Sequence, residues 1–221
     1  MNAIIEQFFN ISIMAQAWPS ILSGLWVTLK VCLVVIPLGL IGGLLVSLIC
    51  LSSNRFFSWP AIFLVDLLRA IPPLVLLIFV YSGLPFAGIR LEPFTAVALA
   101  FLLNNSAYYG EVYRAGIMSV DRGQSEAARS TGMSASSTFI HVVLPQAVRN
   151  VLPDLLSNTI EVVKLTSLAS VVSLGEMLHR ADMARSITYN ASPIVLAGVV
   201  YLVLLIPFVR LVSYFERRTV N

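Results

Sequence analysis

Long apolar stretches dominate the chain, and short polar stretches interrupt them. The apolar stretches predict five membrane-spanning helices, at about 21–51, 60–82, 93–114, 148–172 and 194–213, since a span needs about 20 apolar residues. Residues 1–20 place apolar side chains at helical spacing beside polar ones, which favours an amphipathic helix at the membrane interface. The longest polar interruption is 121–145, and a second one at 174–193 predicts a loop or a short surface helix.

Composition agrees with this pattern. Of the 221 residues, 58% are hydrophobic and 11% are charged, whereas soluble domains carry about 25% charged residues. We therefore predict an all-α integral membrane protein, with an interfacial segment at 1–20 and one transmembrane domain at 21–218. The polar loop at 117–147 belongs to that domain.

Basic residues predict the orientation of the chain. If the loop at 121–145 is cytoplasmic, the basic residues on the inside are Arg55, Arg114, Arg122, Arg129, Arg149, Arg210, Arg217 and Arg218. Those on the outside are Lys30, Arg90, Arg180 and Arg185. Because cytoplasmic loops carry the excess of Lys and Arg, the amino terminus is expected outside and the carboxyl terminus inside.

The polar loop itself predicts two short helices. Residues 126–129 favour a helix, and Gly132 ends it because glycine tolerates the left-handed conformation. Ser134 is a suitable cap for a second helix, and Pro145 is expected to break that helix. The two alanines of the first helix would lie on an exposed knuckle, a shape that suits insertion into a cleft on another protein.

Polar side chains also lie inside the predicted spans. Pro72 and Pro73 must break or kink the second span just after Arg69, and irregular backbone at membrane depth is tolerated only inside protein or beside water. This favours a path-lining role, although a kink for packing explains the prolines equally well. In the third span, an ion pair between Glu111 and Arg114 explains those charges at least as well as a substrate role does.

The fourth span carries a continuous polar stripe, formed by Asp154, Ser157, Asn158, Glu161 and Lys164. Charged groups in a membrane usually face a bundle interior or an aqueous cavity, so the stripe favours a substrate path. The alternative is that Glu161 and Lys164 only pair within the helix, while Asp154 lies among the cytoplasmic headgroups.

The loop carries a family resemblance. Glu126-Ala127-Ala128, then Gly132, Val142 and Leu144-Pro145, resembles the "EAA" loop of ABC-importer permeases in every spacing, with Val142 where that family usually has isoleucine. The resemblance extends over about 22–218 and is with the polar amino-acid branch of the family. Its further segments are 24–30, 69–75, 81–85, 107–117, 123–128, 164–169 and 216–218.

The resemblance implies a type I importer fold and a permease in the bacterial cytoplasmic (inner) membrane. Its implied partners are two cytoplasmic ATPase subunits, a second permease (itself or a sister subunit), an external substrate-binding protein, the bilayer and an amino acid, and no nucleic acid. ATP and Mg belong to the ATPases, so this chain is expected to bind no cofactor or metal and to be no enzyme by itself. The sequence agrees, since it has no Gly-x-x-x-x-Gly-Lys-Ser/Thr loop.

Two sets of site residues follow. The residues implied to couple to the ATPase are Gly123, Glu126, Ala127, Ala128, Arg129, Gly132, Leu144 and Pro145. The residues expected along a substrate path are Arg69, Pro72, Glu111, Asp154, Asn158, Glu161 and Lys164.

Departures from the family pattern bear on the substrate. Ala70, Ile71, Pro73 and Leu76 replace residues common in relatives, and Thr159 stands where a glutamate often follows the asparagine. The acidic groups of the stripe would suit a zwitterionic or basic ligand. An ion-coupled secondary transporter and a purely structural membrane subunit remain as alternative interpretations.

Overall fold

The computed structural model describes residues 2–219, and it is helical without strands over that range. The helices are α1 (Asn2–Phe8), α2 (Ile11–Cys50), α3 (Arg55–Ala70), α4 (Pro73–Ile78), α5 (Pro93–Met118), α6 (Arg122–Ser130), α7 (Ala135–Thr138), α8 (Leu144–Leu165), α9 (Met177–Thr188) and α10 (Ser192–Thr219). A π-helical turn (Phe79–Gly83) and a 3-10 turn (Leu84–Ala87) follow α4, another π turn (Phe139–Val143) joins α7 to α8, and a 3-10 turn (Thr166–Val172) follows α8. The side chains of Glu216 and Arg218, in the closing motif 216–218, lie outside the described ones.

The all-α membrane architecture is confirmed. Within the described residues, three helical stretches are long and apolar enough to cross a membrane: Ala3–Cys50, Ala135–Val172 and Ser192–Phe215. A fourth results if the broken pair Arg55–Ala70 and Pro73–Ala87 counts as one span. Helix α5, predicted as the third span, has sufficient length, but polar side chains in its second half lower its hydropathy. The count of five spans and the orientation therefore stay predictions.

Helix α2 begins earlier than the predicted first span. It starts at Ile11, and both Trp18 and Pro19 lie inside it. The chain leaves helical geometry instead at Phe9 and Asn10. The division expected at residue 20 thus coincides with no helix end.

The prediction that Pro145 breaks the second loop helix is wrong. The helical path runs from Ala135 through Val172, and Pro145 is the second residue of α8. Just before it, the Leu144 N–H donates to the carbonyl oxygen of Phe139, five residues back. This π turn shifts the hydrogen-bond register, so a residue without an N–H is accommodated where a helix would otherwise break.

The chain divides into two compact units, and each long helix except α3 contributes to both. The first unit comprises the described residues up to Ile36, with 72–101 and 160–209. Two apolar clusters form its core. One gathers residues such as Val35, Leu77 and Phe101 around the buried Val162 of α8. The other packs Ile21 against Met177, Ala181 and Ala197.

Within this first unit, α1 is tied to the turn between α9 and α10. The Asn190 side chain donates to the Glu6 carbonyl oxygen (2.8 Å), and the Ala191 N–H donates to that of Gln7 (3.0 Å). The Asn10 N–H donates to the Ser192 hydroxyl oxygen (2.9 Å). The first two bonds satisfy carbonyl groups that the end of α1 leaves unpaired.

The second unit comprises 37–71, 102–159 and the described residues from 210 onward. Here α2 and α5 approach closely through glycines. A Cβ atom placed on Gly43 would lie 2.8 Å from the Gly110 nitrogen, and one placed on Gly42 would clash with the Ser106 hydroxyl. Small residues allow such close approach of membrane helices. The Tyr109 and Thr159 hydroxyl groups join α5 to α8 by a hydrogen bond of 2.9 Å.

Candidate functional site

The polar segment at 121–138, in the second unit, forms two capped short helices. The Asp121 carboxylate caps α6 by accepting a hydrogen bond of 2.6 Å from the Gly123 N–H. A Cβ atom at Gly123 would lie 2.8 Å from that carboxylate oxygen. Gly132 has φ +89°, the left-handed conformation expected after the helix end. Ser134 caps α7 through a bond of 3.2 Å from the Ser137 N–H, so the predicted caps are confirmed.

Helix α6 exposes one face and buries the other. Glu126, Ala127 and Arg129 are exposed, whereas Ala128 is buried. The expectation that both alanines lie on the exposed knuckle is therefore wrong for Ala128. On a helix, adjacent positions point in different directions, so Ala128 anchors α6 and Ala127 faces outward.

The segment connects directly to α8. Leu144 and Pro145, both exposed, stand at the start of that helix. The beginning of α8 is fixed to the end of α5, since the Asn150 side chain donates to the hydroxyl oxygen of Ser119, the residue that follows α5 (2.9 Å). A Cβ atom on Gly116 would clash with Val151. Residues 121–145 thus form an exposed surface on a closely packed support.

A second polar arrangement surrounds the end of α3, also in the second unit. In a continuous helix, the carbonyls of Leu68 and Arg69 would accept from residues 72 and 73, but both are prolines and have no N–H. Two side chains of α5 take their place. The Asn104 amide donates to the Leu68 carbonyl oxygen (3.0 Å), and the Tyr108 hydroxyl donates to that of Arg69 (3.3 Å). The predicted break is confirmed, and its freed carbonyls are satisfied.

The charged groups beside this break are paired with one another. Arg114 binds both carboxylate oxygens of Glu111, at 2.9 and 2.5 Å, and an Arg69 nitrogen lies 3.9 Å from the same carboxylate. The Arg69 guanidinium also lies over the Tyr108 ring, 5.6 Å from its centroid. The predicted Glu111–Arg114 pair is confirmed. Arg69 turns toward Glu111 rather than toward Asp66, which is exposed.

The polar stripe of α8 is only partly buried. Glu161 and Lys164 form an ion pair of 2.5 Å, with 58% and 52% of their side chains exposed. Asp154 is exposed and Asn158 is half-buried, with a buried amide nitrogen that has no partner in the described part of the chain. Pro72 precedes the first residue of α4 in an extended conformation (φ −56°, ψ 134°). Of the residues predicted along the substrate path, the structure therefore pairs Arg69 with Glu111 and Glu161 with Lys164.

A buried carboxylate appears where the sequence predicted a surface segment. Glu176, in the first unit, has no exposed surface. It caps α9 by accepting from the N–H groups of Leu178 (2.8 Å) and His179 (2.6 Å), and the Tyr201 hydroxyl lies 3.4 Å away. Burial raises the pKa of Glu176 from 4.5 to about 7. The helix predicted as one of two options for 174–193 is present, but Glu176 and Met177 at its start are buried.

Sequence reasoning missed the roles of Asn104 and Tyr108, yet a signal existed. Two successive prolines always remove two N–H donors, so two donors must come from elsewhere. Asn104 and Tyr108 are four residues apart and lie on one helix face.

Most of this chain is similar in sequence to known proteins. A family model described as "Binding-protein-dependent transport system inner membrane component" matches residues 35–221. The chain is 38% identical over 190 residues to the "Arginine transport system permease protein ArtQ" of Bacillus subtilis (strain 168), a match that covers 85% of this chain and 87% of that protein. It is 33% identical over 210 residues to the "Probable glutamine ABC transporter permease protein GlnM" of the same organism, covering 95% and 97%.

A solved structure shares the fold. The structure titled "Crystal structure of an amino acid ABC transporter with histidines" matches with a TM-score of 0.87 and 36% sequence identity. The match covers 93% of this chain and 96% of that chain.

Proposed function

Because the chain belongs to the family of inner-membrane components of binding-protein-dependent transport systems, we propose that it is the permease of an ATP-driven importer of polar amino acids. Relatives named for arginine and glutamine transport support an amino-acid cargo. The observation that carries the mechanism is the exposed, capped helix pair at 121–138. The relatives' names give the ion-coupled alternative no support.

The proposal includes partners that supply energy and substrate. Two cytoplasmic ATPase subunits bind ATP and Mg, a second permease (a further copy or a sister subunit) completes the membrane part, and an external binding protein delivers the amino acid. The segment 121–145 then faces the cytoplasm, with the amino terminus outside. ATP binding favours one of two conformations of the permease, as any ligand-driven switch requires.

Helix α6 is the element that we propose enters a cleft on the ATPase. Its buried Ala128 anchors it, while the exposed Glu126, Ala127 and Arg129 offer a small surface with charges of both signs. Gly132 permits the reversal into α7, whose helical path continues into α8. Movement of the docked α6 therefore reaches a spanning helix without passing through a flexible loop.

The substrate path that we propose uses the polar positions of α8. Asp154 and Glu161 are exposed carboxylates that suit the ammonium group of an amino acid, and Asn158 has an unsatisfied amide. Lys164, paired with Glu161, would bind the carboxylate once that exposed pair opens, since exposed pairs are worth only about 0–1 kcal/mol. Arg69, Pro72 and Glu111 contribute mainly by shaping the broken helix, because the Glu111 carboxylate is already paired with Arg114 and Arg69 and Pro72 removes an N–H donor.

The test is Gly132→Asp, with Gly88→Asp as its matched control. Both glycines have a left-handed backbone (φ +89° and +83°), and a Cβ atom at either would meet nothing within 4 Å. The two variants therefore introduce the same strain and charge, but only Gly132→Asp lies in the segment 121–145, which we call the coupling segment.

Uptake of labelled amino acids is measured in cells that carry each variant, with membrane levels measured in parallel. We expect Gly132→Asp to abolish uptake at a wild-type membrane level and Gly88→Asp to retain it. Normal uptake by Gly132→Asp at that level would overturn the coupling role. Wild-type uptake must also stop on ATP depletion and survive a proton ionophore; the opposite result would restore the ion-coupled mechanism.

A further inference from the structure

A groove in the first unit lies between the beginning of α2 and helix α9, and none of the residues that line it belongs to the segment 121–145 or to the proposed path. Its volume is about 290 Å³. Most of its wall is apolar, with Ile13, Met183 and Ile187 among the lining residues, and Arg180 is the one charged residue among the described residues that line it. The groove therefore combines an apolar wall with one cation.

The guanidinium group of Arg180 lacks a protein partner. Among the described residues, none forms an ion pair or a side-chain hydrogen bond with it, and its Nε is buried. The group lies over Gly175, where a Cβ atom would be 3.2 Å from Nε and 3.3 Å from one Nη. Leaving a partly buried cation unpaired is costly, so this position favours an anion.

The carboxylate best placed to neutralise Arg180 is already engaged. Glu176 is four residues earlier, a spacing at which acidic and basic side chains commonly pair on a helix. Its two oxygens instead accept from the backbone N–H groups of Leu178 and His179. Among the described residues that line the groove, none is acidic. The positive charge of Arg180 is thus available to a ligand from outside the chain.

We propose that this groove binds an anionic phospholipid, with the phosphate on Arg180 and the headgroup glycerol along the groove wall, while the acyl chains leave the Ser20 end toward the hydrocarbon core. Inorganic phosphate would leave the apolar wall unused, and an amino acid would place its ammonium group where no lining carboxylate could pair with it. Gln16 and Ser20 also line the groove and can donate further hydrogen bonds to phosphate oxygens.

The position of the groove along α2 is consistent with headgroup depth. The 40 residues of α2 span about 60 Å, about twice the 30 Å of a hydrocarbon core, so part of this helix extends beyond the core. Trp18 is 42% exposed in the stretch that lines the groove. Tryptophan is enriched at the membrane–water interface, which places this end of α2 near the headgroups.

The test uses the full chain, purified with the subunits that accompany it, in nanodiscs of phosphatidylcholine with increasing fractions of phosphatidylglycerol. Retained lipid is counted by native mass spectrometry, and thermal stability is followed in parallel. Arg180→Gln should weaken phosphatidylglycerol binding roughly tenfold or more, as expected for a lost charge-assisted contact, while Arg180→Lys should retain part of it.

The matched control is Arg185→Gln, which removes a positive charge from the same helix at an exposed position where it pairs with Asp182 (2.7 Å). It should bind lipid as the wild type does. A second variant, Gln16→Glu, places a competing carboxylate in the groove and leaves Arg180 unchanged; it should also weaken binding.

Three results would overturn the lipid site: wild-type binding by Arg180→Gln, equal weakening by Arg185→Gln, or stabilisation by inorganic phosphate as strong as that by phosphatidylglycerol. Each readout is of lipid binding, so failure here leaves the transport proposal untouched. Failure of transport coupling in Gly132→Asp would, in turn, leave the lipid site standing.

Discussion

Replacing Glu176 by glutamine should remove a pH dependence of stability. The wild-type carboxyl group is fully buried, and burial raises its pKa from 4.5 to about 7. Between these values the folded protein holds a proton that the unfolded chain has released. The free energy of unfolding therefore falls as pH rises from 4.5 to about 7, and it levels off above that.

The size of the effect follows from the two pKa values. The difference between 4.5 and about 7 corresponds to about 3 kcal/mol, at 1.36 kcal/mol for each pH unit. For a chain of this length, that is a fall in melting temperature of roughly 6–12 °C between pH 4.5 and 8. Glutamine keeps an oxygen that can accept one of the two N–H groups at the start of α9, but it cannot ionise. The Glu176→Gln protein should therefore lack this fall.

Thermal unfolding of both proteins in one detergent, from pH 4.5 to 8, measures this difference. The matched control is Asp182→Asn, which removes an exposed carboxylate from the same helix and should keep the wild-type slope. Parallel curves for wild type and Glu176→Gln, or a wild-type stability that rises with pH, would refute the reasoning.

Two further predictions concern packing in the second unit, and thermal unfolding measures both. Asn104→Ala leaves the Leu68 carbonyl without its donor at a site that is 1% exposed, so we expect a loss of about 1–3 kcal/mol; unchanged stability would mean that water or another donor replaces the amide. Gly43→Ala brings a methyl group within 2.8 Å of the Gly110 nitrogen and should cost about 1–3 kcal/mol. Its control, Gly198→Ala, meets nothing within 4 Å and should be neutral or stabilising by up to about 1 kcal/mol; equal losses in both alanine variants would contradict the packing role of Gly43.

Local signals predicted local structure well. Gly132 and Ser134 act where the sequence placed them, because a left-handed turn and a helix cap depend on a few neighbouring residues. The break before Pro73 follows from the same local rules. Pro145 was misread because a π turn in the preceding residues, which no local propensity specifies, removes the conflict between proline and the helix.

Burial and pairing could be predicted less well. Glu176 lies in a polar stretch, and nothing in that stretch indicates that Glu176 and Met177, at the start of α9, are buried. Arg69 could pair with Asp66 by spacing alone, yet it contacts Glu111 on a different helix. Such outcomes depend on which helices meet, and a single sequence specifies this only through the sum of all packing interactions.

The hydrogen bonds that tie α1 to the turn before α10 have a consequence for biosynthesis. They join residues 182 to 184 positions apart, so the ribosome must synthesise all of the intervening residues before they can form. At about 5–20 residues per second, this interval lasts roughly ten to forty seconds. During that time Asn10 and the carbonyls of Glu6 and Gln7 must rely on water or on the insertion machinery. Helix α1 is therefore fixed in place only after the turn before α10 has been synthesised.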